Sequence, residues 1–212
     1  MKTVRDEIFE SIRSAAGSPT TARAADYAAI ERSYNQQGKL DLGARLKLFT
    51  ERLIDYDAVV YRCTPGELPG AIAEAMTARG KRTLVIPRNF HTELLPDGFE
   101  FPRDEDLGHE DLDRREGSLT GCTAAIAATG SILLGHSAAE GRRALTLIPD
   151  YHLCVVFAEQ VVETVPEGIR QLTGCATVTT ISGPSATADI EMTRIKGVHG
   201  PRSFDVILVV NR

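Results

Sequence analysis

The chain lacks any cysteine spacing of the kind that holds a metal. Cys63, Cys122, Cys154 and Cys175 lie far apart, with no C-x-x-C among them. Structural zinc and iron–sulfur sites draw on closely spaced ligands, because a short loop brings two together at little entropic cost. The pattern predicts reduced, buried thiols that pack as small hydrophobes, with no metal and no cofactor in this chain. His91, His109 and His136 show no metal-ligand spacing with one another either. Also missing are G-x-G-x-x-G, the P-loop, H-E-x-x-H and G-x-S-x-G, so nucleotide-dependent redox enzymes and the common hydrolases find no support.

Long apolar runs are missing as well. None reaches the roughly 20 residues that a membrane-spanning helix needs. The first twenty residues mix Lys2, Arg5, Asp6, Glu7, Glu10 and Arg13 with apolar positions, leaving no secretory h-region. The expectation is a cytoplasmic protein that does not engage membrane. Positive clusters are equally scarce: Arg114-Arg115 and Arg142-Arg143 are isolated pairs in a chain of net charge −5. That balance argues against nucleic acid as a partner. What is present is an ordinary globular composition, 42% hydrophobic and 25% charged over 212 residues, enough for a sizeable core.

Val4, Ile8 and Ile12, with Phe9 beside them, recur at helical spacing and predict a first helix ending before Gly17. Residues 18–26 are small and polar and read as a linker. Leu42, Leu46, Phe49 and Leu53 predict a second helix within 40–54. From Asp57 the rhythm changes, which divides the chain into an N-terminal helical extension (1–55) and an α/β domain (56–212). Residues 58–61 read as a buried strand. Thr64-Pro65-Gly66-Glu67 then offers a helix cap, with the helix running through Ala71, Ile72, Ala75 and Met76 to Gly80. A strand follows at 81–86, making a βαβ unit and a parallel pair. Residues 89–116 read as loops with a short strand near Phe99. Apolar runs 123–127 and 131–134 flank Ala128-Thr129-Gly130 and predict a hairpin. Strands at 144–148 and 153–157 and a helix at 166–172 come next. Strands at 177–181 and 204–210 then close the sheet around a helix at 188–196. The fold class is α/β: a mixed, largely parallel sheet flanked by helices.

The chemistry concentrates near the C-terminus. Ser182-Gly183-Pro184-Ser185-Ala186-Thr187 lies after a predicted strand and before a predicted helix, whose unpaired N–H groups would favour a phosphate or carboxylate. Capping of that helix by Ser185 or Thr187 is the equally open structural reading. Asp189 and Glu191 either serve the helix dipole or act as a base. His199, in the turn before the last strand, is a catalyst or a structural hydrogen-bonding residue. Arg202 is a natural anion partner or a surface charge. The catalytic candidates are therefore Asp189, His199 and Glu191. The ligand-binding candidates are Thr129, Gly130, Ser131, Ser182, Gly183, Ser185, Thr187, Gly200 and Arg202. His152 faces either solvent or the pocket.

Three segments carry a family resemblance: GSLTGCTAAIAATGSILL (117–134), LTLIPDYHLCVV (145–156) and ISGPSATADIEMTRIKGVHGPRSFDVILV (181–209). Together they resemble the LUD domain family, of the LutC/YkgG type. The resemblance implies a NagB/RpiA/CoA-transferase-like fold. It implies membership of a three-protein system that oxidises L-lactate to pyruvate, with iron–sulfur clusters on LutA-like and LutB-like partner subunits and none on this one. The expected role is a cluster-free subunit that binds a small anionic metabolite or a partner. The alternative is a stand-alone isomerase or acyl-CoA-transferase-like enzyme acting on a phosphorylated or thioester metabolite. By the same resemblance, family positions fall on Thr129, Gly130, His152, Ser182, Gly183, Pro184, Ser185 and Thr187. They continue at Asp189, Ile190, Glu191, Gly197, His199, Gly200 and Pro201. Ala128 and Ala186 depart from it, standing where relatives commonly carry Glu and Arg.

Overall fold

A computed structural model describes residues 3–16, 26, 29–184, 186–187, 195–196 and 200–211. The chain falls into two compact units, 1–34 and 35–212.

In the first unit, helix α1 (Val4–Ala16) begins at a reciprocal cap. The Thr3 amide and hydroxyl donate to Asp6 Oδ2 at 3.0 and 2.7 Å, and the Asp6 amide donates back to Thr3 Oγ1 at 3.3 Å. Val4, Ile8 and Ile12 form the expected stripe, and all three are exposed.

The second unit opens with helix α2 (Leu42–Asp55), where Asp41 caps the first turn by accepting from the Ala44 amide at 2.8 Å. Its Leu46, Phe49 and Leu53 are buried in the main core. By compactness the second unit begins at Asn35, ahead of this helix.

A parallel sheet forms the centre. Its order is β1 (Val59–Cys63), β12 (Ser203–Val209), β7 (Tyr151–Phe157) and β4 (Ser118–Thr120). All three pairings are parallel. The sheet continues past β4 through a Val85–Ser118 bridge to β2 (Ile86–Pro87) and β3 (Arg103–Asp104), again parallel. Helix α3 (Leu68–Ala78) joins β1 to β2. Glu67 Oε2 accepts from the Thr64 amide and hydroxyl at 2.8 and 2.7 Å just before it, and Gly80, at φ 64°, stands just beyond it. The crossover is as expected, but its strands are not neighbours. β12, β7 and β4 lie between them, because the runs SFDVILV and YHLCVVF are mostly apolar and buried on both faces, and belong at a doubly covered centre.

On one face, α3 packs Leu68, Ile72, Ala75 and Met76 over Leu119, Leu153, Val155, Ile207 and Val209. On the other lies a second four-stranded sheet, in the order β8 (Val161–Val162), β5 (Ala124–Ile126), β6 (Ser131–Leu134) and β9 (Thr179–Ile181). β5 and β6 form the expected antiparallel hairpin. Ala125, Ala127, Ile132 and Leu134 share a core with Cys154, Val156, Phe204, Val206 and Leu208. Helix α6 (Val165–Gln171) covers the far side, with Thr164 as its cap and Gly168 seated closely on Ile126 and Leu133.

Three expectations change. The run 144–148 is not a strand: Arg143–Leu147 is helix α5, with Leu145 buried beside Val85 and with Leu112 of helix α4 (His109–Asp113). A five-residue apolar run has no period long enough to separate the two states. The strand at 179–181 pairs with β6 in the second sheet and does not close the first. The helix expected over 188–196 is not what residues 195–196 form. Ala186–Thr187 (β10) and Ile195–Lys196 (β11) pair as an antiparallel ribbon, while 188–194 lie outside the described residues. Thr187 and Ile195 are β-branched and suit that ribbon. Among the described residues no helix is long and apolar enough to cross a membrane.

Candidate functional site

Two sheets, one short helix and two loops meet around a cleft of about 220 Å³. Its floor is formed by His152 and Phe204, each the second residue of its strand and paired in register across β7 and β12. α5 contributes Arg143 and Thr146, and β9 contributes Thr179, Thr180 and Ile181. Ser182, Gly183 and Pro184 continue from β9, while Gly200 and Pro201 lead into β12. Ligands of open parallel sheets usually sit beyond the carboxyl ends of the strands. Here the cleft lies at the amino ends of β7 and β12, where the chain leaving β9 crosses over them.

His152 is 1% exposed. Its Nε2 lies 2.8 Å from the hydroxyl of the fully buried Thr120, and its ring meets Phe204 at a centroid distance of 5.3 Å. Nδ1 is buried and has no hydrogen-bond partner among the described residues. Burial pushes the imidazole down to about 3, so it is neutral at ordinary pH. If Thr120 donates to Nε2, Nδ1 carries the proton and is the single unpaired donor. The other tautomer would leave both Nδ1 and the Thr120 proton unpaired, so the first is favoured. The histidine is thus a buried neutral ring in the cleft floor, not a base.

Arg143 is exposed, and among the described residues it has no ion-pair or hydrogen-bond partner. Its neighbour Arg142 is committed elsewhere, holding the buried Asp104 at 2.8 and 2.9 Å. Thr146 is 2% exposed and its hydroxyl donates to the Arg143 carbonyl at 3.3 Å. A free guanidinium and several hydroxyls suit a small, polar, singly anionic molecule.

Of the residues singled out in the sequence, Ser182, Gly183 and Gly200 line the cleft. Thr129 and Ser131 stand behind it: Thr129 donates to Ser131 Oγ at 2.9 Å, and Ser131 Oγ lies 2.7 Å from Ser182 Oγ. Gly130, at φ 61°, presses on the Arg52 backbone, and a Cβ there would meet the Arg52 carbonyl carbon at 3.0 Å. Arg202 pairs with Asp150 at 3.0 Å on the surface. Thr187 lies in β10. Ser185, Asp189, Glu191 and His199 fall outside the described residues. With 186–187 extended, no described helix begins after Pro184 to bind an anion at its N-terminus.

Sequence reasoning missed Arg143, Thr146 and Thr179 because it read α5 as a strand and placed β9 in the wrong sheet. For His152 the signal was present, a polar residue second in an otherwise mostly apolar strand. Cys63, Cys122 and Cys154 are buried free thiols. Hydrogen bonding to Cys154, then burial, raises the Cys122 thiol well above its ordinary value. Among the described residues no three of His, Cys, Asp and Glu converge as a metal site requires.

The profile of the LUD domain matches residues 102–209. The chain is 45% identical to lactate utilization protein C of Deinococcus radiodurans over 77% of its own length and 79% of that protein. It is 34% identical to the uncharacterized protein YkgG of Escherichia coli over 44% and 45% of the two chains. A crystal structure of a DUF162 family protein from Deinococcus radiodurans superposes with a TM-score of 0.71 at 40% identity, covering 82% of this chain and 100% of that one. Profile, relatives and architecture agree, and the chain belongs to the LUD domain family.

Proposed function

We propose that this protein serves in lactate utilization, as a subunit that carries no redox centre and takes a small carboxylate in the cleft between α5, β9 and the starts of β7 and β12. The 45% identity to lactate utilization protein C, extending over most of both chains, is the observation that carries the reading. The cleft suits it. Its volume of about 220 Å³ is below the roughly 300–1,000 Å³ typical of pockets for drug-sized ligands, which favours a small metabolite. Among the described residues Arg143 is a cation without a carboxylate partner, and neutral His152 in the floor adds no second charge. Electron transfer in such a system would fall to iron–sulfur partner subunits, as the family resemblance implies; the widely separated cysteines agree only in offering this chain no cluster ligands.

The test is growth. Deleting the gene in a host without a redundant lactate dehydrogenase should abolish growth on L-lactate but not on glucose. Complementation with the wild-type gene should restore it, and Arg143→Ala should restore it poorly. Unimpaired growth of the deletion strain on L-lactate would reject the role. Affinity capture under native conditions should retain iron–sulfur proteins, and their absence would reject the partner assignment.

A further inference from the structure

His136 is not part of the cleft wall, yet it controls one of the wall's hydroxyls. It sits just beyond β6 at φ 55°, with Nδ1 2.8 Å from the Gly141 carbonyl oxygen and Nε2 2.8 Å from Thr179 Oγ1. A carbonyl oxygen only accepts, so Nδ1 carries a proton. In the neutral ring Nε2 is then an acceptor, and the Thr179 hydroxyl must donate to it. That commits the only proton on Oγ1. Thr179 is 7% exposed and lines the cleft, so what it offers a bound molecule is a lone pair.

We propose that His136 is a specificity-determining positioning residue: by holding Thr179 as an acceptor, it makes the cleft prefer a small carboxylate with a hydroxyl at C2 over one with a carbonyl there. The inference rests on the reading of the cleft as a carboxylate site and adds the group that is read beside the carboxylate. Arg143 takes the carboxylate of either acid. His152, buried in the floor, is the same for either acid. Only a hydroxyl can also donate to Thr179 Oγ1, whereas a carbonyl oxygen would face a lone pair. One neutral hydrogen bond of this kind corresponds to a preference of roughly fivefold to tenfold.

The experiment pairs two probes, L-lactate and pyruvate, in calorimetric titrations against the full chain. Wild type should bind lactate roughly fivefold to tenfold more tightly than pyruvate. Thr179→Val should bring the ratio close to one. His136→Asn should do the same while leaving Thr179 in place: asparagine tolerates positive φ and can still donate to the Gly141 carbonyl, but has nothing at the Nε2 position. A merely structural role for His136 would weaken both acids together and leave their ratio unchanged, which would overturn the inference. Equal affinities in wild type would also overturn it while leaving the carboxylate cleft standing. No binding of either acid up to about 10 mM would remove the cleft reading itself and this inference with it. A measurement without ligand covers variants that fail to fold: ¹⁵N spectra of the wild-type imidazole should show His136 protonated at Nδ1 alone, and a proton on Nε2 in the neutral ring would refute the assignment.

Discussion

Arg79 closes over Asp205, a carboxylate with no solvent exposure in the middle of the central strand β12. The guanidinium donates through two nitrogens, with Nε 2.8 Å from Oδ2, and the Tyr151 hydroxyl donates to the same oxygen at 3.0 Å. Burial first, then the Asp205 charge, raises the Tyr151 phenol, so it stays a donor at any ordinary pH. Removing one partner of a buried pair leaves the other charge uncompensated. Arg79→Met should therefore destabilise the fold by about 3–5 kcal/mol in urea titrations. Replacing Asp205 as well with an apolar residue should recover much of the loss. A single variant as stable as wild type would show that water reaches Asp205.

His152 should make stability depend on pH in a range where the carboxylates do not titrate. Its folded value near 3 lies below the ordinary histidine value of 6.5. Between those values the unfolded chain binds a proton that the folded chain does not, so stability falls as pH drops. The contribution is complete above 6.5 and is lost progressively below it, with a slope approaching about 1.4 kcal/mol per pH unit. The comparison of wild type with His152→Phe should be made between about pH 6.5 and 5.5, above the unfolded glutamate value of 4.5 at which Glu116 and Glu167, both held lower in the fold, begin to cost stability. Identical slopes for the two proteins would refute the buried neutral imidazole.

Gly183 should tolerate no side chain. Its φ is 81°, and a Cβ built there would lie 2.5 Å from Tyr56 Cβ and 3.2 Å from the Tyr56 carbonyl oxygen. Gly183→Ala combines backbone strain with a clash and should cost about 2–4 kcal/mol, read as a lowered urea midpoint. Because Gly183 lines the cleft, the variant should also weaken L-lactate binding more than Gly66→Ala, which meets open space.

Glu167 ties a distant segment to α6. Its Oε2 accepts from the Thr164 and Glu163 amides at 2.8 and 3.1 Å, and its Oε1 from the Gly38 amide at 3.0 Å. These bonds outweigh burial and hold the carboxyl below its ordinary value. Glu167→Ala should cost about 1–2 kcal/mol through the lost cap. It should also speed amide exchange at Gly38, whereas exchange at Ile72, in α3, should rise only with global stability.

Much of the fold was legible. Thr64 to Gly80 carries its own start signal, Pro166 opens the helix expected over 166–172, and the hairpin about Thr129-Gly130 follows from two apolar runs and a turn. Pairing was not legible, since β7 and β12 are both mostly apolar and nothing local states which neighbour each takes. The site suffered most from this. Ser182, Gly183 and Gly200 could be named because glycine and hydroxyls mark a loop after a strand. Arg143 and Thr179 could not, because the one needed α5 to be a helix and the other needed β9 to lie in the second sheet.

The sequence by itself determined the helix caps, the tight turns, the absence of clustered thiol ligands and the polar loop near the C-terminus. Each of those depends on residues a few positions apart, whose bonding is set by local backbone geometry. Tertiary structure alone decided that β12 lies at the centre, that two sheets enclose one core, and that His136 meets the hydroxyl of Thr179, 43 residues further along the chain. Such pairings depend on which apolar faces bury one another, and burial is a property of the whole packed chain, to which every strand contributes.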